Sequence, residues 1–176
     1  MRMFPTIAVA LLIGSAAITA QAANSPESWS GLVEVNARQF DSAFLLPGAD
    51  FRPYTKVMLD EPQVAFRDNW LRSVNSGNAS RSRTRVTQAD ADRILATVST
   101  NTTDIFAREF ERAGFKVVTA AGPDVLRVRI GVVNLFVNAP DTLSAGRSRS
   151  FTTNAGEATL IMEVRDSQTK ALLASV

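Results

Sequence analysis

The chain of 176 residues contains no cysteine and no histidine. Without cysteine there are no disulfides, no zinc–thiolate sites and no thiol to carry a lipid behind an export signal. Without histidine, Ser-His-Asp and Cys-His catalysis is excluded, and most transition-metal sites go with it. Beyond residue 20 there is no uninterrupted apolar run near the roughly 20 residues that a membrane-crossing helix needs. A dominant charge is also missing. The formal net charge is +2, from 19 basic and 17 acidic residues. Total charge therefore favours no partner, and only local clustering can.

What is present starts with an export signal. Arg2 forms a short positive region, Ile7 to Ala20 is apolar and small, and Ala20 and Ala22 stand in the A-x-A arrangement that signal peptidase reads. Cleavage is expected after Ala22. The expected organisation is a signal peptide over 1–22, a leader over 23–31 and a single α+β domain over 32–176. The expected location is periplasmic or secreted, free of a lipid anchor and, after cleavage, of any transmembrane segment. That compartment removes nucleic acid as a partner.

The hydrophobic periods predict mostly strands. "LVEV" (32–35) is a short strand, and Phe44 to Leu46 is apolar and closed by a Pro47-Gly48 turn. Residues 54–66 read as extended chain that Pro62 divides into two short strands. Residues 72–86, rich in Ser, Asn and Arg, lack an apolar period and read as an exposed loop. A helix is predicted over about 88–113, with Thr87 as N-cap, Asp90 completing a capping box and Gly114 as terminator. Its stripe is Ala91, Ile94, Leu95, Val98, Thr102, Ile105, Phe106, Phe110 and Ala113. "FKVV" (115–118) follows as a strand.

In the long strand over 125–138, Leu126, Val128 and Ile130 face one way and Arg127 and Arg129 the other. Gly131 is the expected bulge. The last hairpin turns at "DSQT". Ala158, Leu160, Met162 and Val164 are placed inward, and 170–176 returns as an edge strand. The sum is a mostly antiparallel sheet with one long helix packed on one face, in two layers.

The collinear set "WSGLVEV", "FLLPGADFRPYTKVMLDEPQVAF", the capped helix ending in "GF", "GPDVLRVRIGVVNLFVNAP" and "VRDSQTKALLA" resembles the bacterial envelope family catalogued as domain of unknown function 3313. That resemblance implies an exported envelope protein of no established activity and carries over no catalytic residues. The family's lipobox cysteine is missing from this chain.

The arginines are the positive signal: Arg81, Arg83 and Arg85 before the helix, Arg127 and Arg129 on the long strand, and Arg147 and Arg149 in a late loop. Residues two apart on a strand share a side, so Arg127 and Arg129 form a basic row. With Arg147 and Arg149 they are candidates to hold phosphate or carboxylate groups of a lipid or glycan. Acids such as Glu157 and Glu163 lie where they can compensate that row across the sheet. Asp60-Glu61 is the candidate carboxylate pair for glycan hydrolysis, although turn and capping duty is the favoured explanation of such residues. No metal or cofactor site is expected. The leading expectation is a non-enzymatic envelope protein that binds a protein partner by strand addition at 170–176. An anionic lipid- or glycan-binding module comes second and a carboxylate hydrolase last.

Overall fold

The computed structural model of the chain describes residues 31–80, 85–138 and 156–176, without the side chains of 78–80. The expected signal peptide and leader, Arg81, Arg83, Arg147 and Arg149 lie outside the described residues. In chain order the elements are β1 (Val33–Val35), β2 (Ala43–Leu45), β3 (Lys56–Leu59), β4 (Gln63–Phe66), α1 (Trp70–Ser80), α2 (Gln88–Arg112), β5 (Lys116–Val117), β6 (Val125–Val137), β7 (Gly156–Asp166) and β8 (Leu172–Ser175).

They build one mixed sheet in the order β1-β2-β8-β7-β6-β3-β5, with β4 beside the second half of β6. The longest ladder, β6 with β7, is antiparallel, as are β1–β2, β2–β8 and β7–β8. β3 and β4 run parallel to β6, and β5 parallel to β3. The α+β class is as expected, and the sheet is mixed because the helices form a crossover between β4 and β5. Such a crossover returns the chain in the same direction.

The helix α2 forms where its N-terminus is capped. Thr87 Oγ1 accepts the Asp90 N–H at 3.2 Å, and the Asp90 carboxylate accepts the Thr87 N–H at 3.0 Å. Ala113 is the C-cap, and Gly114 follows at φ +90°, a left-handed conformation that glycine adopts without strain. The poor helix formers in its middle are tied down locally: Thr97 and Thr103 donate to the carbonyls of Arg93 and Ser99. Val98, Phe106 and Phe110 pack on the sheet core of Val57, Leu126, Val128, Ile130, Val132 and Leu173. Ile105, placed on the stripe by its spacing, is exposed.

Four further expectations change. Residues 72–80 are helical, not loop, because Trp70 and Val74, one turn apart, anchor α1. Trp70 stacks on Phe66 with ring centroids 3.8 Å apart, and it packs with Val74, Val86 and Ala91 in a second core cluster. The bulge in β6 falls between Val133 and Phe136, at Asn134 with φ +54°, and not at Gly131, which stays in register opposite Ile161. Asn is one of the few side chains that tolerate that conformation. Ala158 and Leu160 are exposed. Finally, β8 is not an edge. It pairs with β2 on one side and β7 on the other, so its backbone has no free row to offer a partner.

One row of side chains shows how far the core extends. Leu59, Val128, Val164, Ala174, Leu45 and Val33 are cross-strand partners in succession and share a face. Val128 is fully buried, Leu45 is 37% exposed and Val33 55%. The helix packs against β3, β4 and β5 at the other end of the sheet. The apolar face therefore runs on past the layer that covers it.

Candidate functional site

The alternation of β6 places Arg127 and Arg129 on the face opposite Leu126, Val128 and Ile130, as the sequence predicts. Their neighbours are less expected. Arg127 lies directly across from Arg165 on β7, an unfavourable like-charge pair. Two carboxylates relieve it. Arg127 Nε donates to both oxygens of Asp60 at 2.9 Å, and Arg165 holds Glu163 at 3.0 Å. Arg129 stands between these acids at 3.7 Å from each. Three guanidiniums thus face two carboxylates, and the row carries about one net positive charge. The Asp60 oxygens serve as an ion-pair partner here, and Asp60, Glu61, Arg129 and Glu163 line a hollow of about 270 Å³. Among the described residues no three carboxylates converge to hold a metal ion.

Away from that row, Asp90 and Asp166 are among the carboxylates whose pKa values are depressed for structural reasons. Asp90 is held low first by the Thr87 backbone N–H, then by the Thr87 hydroxyl, with Arg93 adding to both. Asp166 is held low by the Thr169 backbone N–H, then by the Tyr54 hydroxyl, which donates at 2.8 Å. The Tyr54 hydroxyl is pushed up by burial and by that carboxylate. One acid caps α2; the other organises the β7–β8 turn.

The larger concavity lies elsewhere, between α1 and the start of α2, with a volume of about 990 Å³. Its floor is apolar: Phe66, Trp70, Leu71, Val86 and Ala91. Its rim carries Arg67, Arg72 and Arg85, and among the described residues no carboxylate lines it. The walls are fixed by specific bonds. Asn75 uses its amide to grip the Val86 backbone, accepting its N–H at 2.8 Å and donating to its carbonyl at 2.9 Å. The Trp70 Nε1 donates to the Val137 carbonyl at 3.2 Å. Arg67 lies over the Phe136 ring, 5.4 Å from its centroid, and pairs with Glu157. Among the described residues neither Arg72 nor Arg85 pairs with a carboxylate. The sequence singled out Arg85 but not Arg67 or Arg72. The available signal was Trp70, an aromatic beside a polar stretch that has nothing to bury unless that stretch folds over it.

The third surface is the β1–β2 hairpin. Among the described residues β1 pairs only with β2, so one side of its backbone is open. Val33, Val35, Leu45, Leu46, Ala49 and Phe51 line a shallow apolar hollow beside it. Among the described residues no helix is long and apolar enough to cross a membrane.

The family model described as "Protein of unknown function (DUF3313)" matches residues 21–176, nearly the whole chain. The chain belongs to that family. No curated protein and no solved structure matches it.

Proposed function

We propose that this member of the DUF3313 family is an exported, non-enzymatic cell-envelope protein that works by binding another protein, with the β1–β2 hairpin as the docking edge. The observation that carries this is the apolar row that ends in Leu45 and Val33, exposed beside an open strand edge. An open edge with apolar side chains must be covered or paired with a partner strand. The opposite end of the sheet is less available, because β4 and β5 lie against α2. An extended segment from an envelope protein, adding to β1 and seating one apolar side chain against Val33 and Leu45, satisfies both needs. A non-enzymatic role is supported by Asp60, the candidate acid, giving both oxygens to Arg127.

A photo-crosslinking residue at position 33, introduced in intact cells, tests this. A discrete envelope protein should be captured, and capture should disappear when Leu45→Lys is added. Exposed substitutions of this sort leave stability within about 0.5 kcal/mol. Capture that survives Leu45→Lys unchanged sinks the hairpin as the docking edge.

Anion binding at Arg127 and Arg129 is the second reading. It is favoured by the one uncompensated guanidinium of the row and disfavoured by the carboxylates that any anion would have to displace.

A further inference from the structure

We propose that the groove between α1 and the start of α2 is a binding site for a monomeric anionic amphiphile, a hydrocarbon chain that ends in a phosphate or carboxylate head. The site is separate from the β1–β2 hairpin and does not depend on docking there.

Three features fit that chemistry and no single one suffices. The first is size: about 990 Å³ is at the upper end of what small-molecule sites occupy. The second is the division of the lining. Trp70, Val86 and Ala91 are each 2% exposed and give an apolar floor, while Arg72 and Arg85 are exposed at the rim. A hydrocarbon chain removes apolar surface from water at about 25 cal/mol per Å², and a guanidinium takes a phosphate or carboxylate in a bidentate manner. The third is charge. Among the described residues no carboxylate lines the groove, and of its three arginines only Arg67 has an acid partner, Glu157. An anion arriving at Arg72 and Arg85 displaces none of the described carboxylates, in contrast to one arriving at Arg127 and Arg129.

The groove also disfavours the obvious competitor, an acidic peptide. Several of its backbone groups are already used: Asn75 occupies the Val86 N–H and carbonyl, and Asp90 caps α2. The first turn of α2 contributes little as an anion site, because the Asp90 carboxylate already sits on it. Recognition must come from the rim guanidiniums and the floor.

The test uses the chain purified from expressing cells with Trp29→Phe, so that Trp70 is the single tryptophan reporter. Dodecyl phosphate, below its micelle concentration, should change Trp70 emission saturably. It should bind at least about tenfold more tightly than either dodecyl maltoside, which has the chain without the charge, or inorganic phosphate, which has the charge without the chain. Arg72→Gln with Arg85→Gln should weaken dodecyl phosphate about tenfold or more and leave dodecyl maltoside within twofold, with an unchanged melting curve. Equal binding of dodecyl phosphate and dodecyl maltoside overturns the proposal, as does retention of affinity in the double variant. Tighter binding by a poly-glutamate peptide than by dodecyl phosphate overturns it in favour of a protein ligand. Crosslinking from position 33 reads the hairpin independently, so either idea can fail alone.

Discussion

The arginines of β6 and those around the α1–α2 groove are the same residue type in opposite circumstances. Arg127, Arg129 and Arg165 crowd on a sheet face, held there by backbone register, and need Asp60 and Glu163 to coexist. Arg72 and Arg85 project from a helix and a connector into a hollow with no acid in its lining among the described residues. The first set is compensated but for about one charge, and it contributes mainly to holding strands together. The second is uncompensated and is available to a ligand. A cluster of guanidiniums is therefore informative only together with its carboxylates, and these come from sequence positions that a local motif does not include.

The largest expected effect breaks the groove side of the comparison. Trp70→Ala removes a stacked, buried ring and should cost about 3–5 kcal/mol by denaturant titration. It should also abolish amphiphile binding, because the floor and the seat of α1 go together. A smaller change inverts the strand side. Asp60→Asn leaves Arg127, Arg129 and Arg165 facing Glu163 alone, at a stability cost of about 1 kcal/mol. Phosphate binding at Arg127, absent or weak in the parent chain, should then appear in NMR titrations and fade with salt.

Acid should act through the capping carboxylates. Asp90 and Asp166 have folded pKa values depressed below the ordinary carboxylate value near 3.8. Their contribution is therefore complete above that value and lost as pH falls through the depressed ones. The denaturation midpoint should be flat from neutral pH to about 5 and drop below about 4. Asp90→Asn and Asp166→Asn should each make the drop shallower. A midpoint that falls between pH 7 and 5 would contradict that assignment.

Much of the fold is legible residue by residue. The α2 boundaries follow from Thr87, Asp90 and Gly114, the β3–β4 division from Pro62, and the two faces of β6 from its alternation. What escapes depends on tertiary partners. The helix α1 has only a short apolar stripe, Trp70, Leu71 and Val74, at its start, and it forms because Trp70 docks on Phe66 and Asn75 grips Val86. The interior position of β8 is a matter of strand order, which no local pattern encodes. Its apolar end at Val176 therefore reads equally well as an edge or a centre. The candidate site was legible in part: the strand arginines and their possible compensation by Glu163 could be read, whereas Asp60 as the main partner of Arg127 could not. Arg67, Arg72 and Arg85 are 18 residues apart at their extremes, and they share a rim only because α1 forms.

The most direct measurement compares two double variants in one dodecyl phosphate titration read by Trp70 emission. Arg72→Gln with Arg85→Gln should lose binding while keeping the parent stability. Arg127→Gln with Arg129→Gln should keep affinity within about twofold while losing stability, since Asp60 then lacks its partners. If the strand variant loses the ligand and the groove variant keeps it, the assignment of the two arginine sets is wrong.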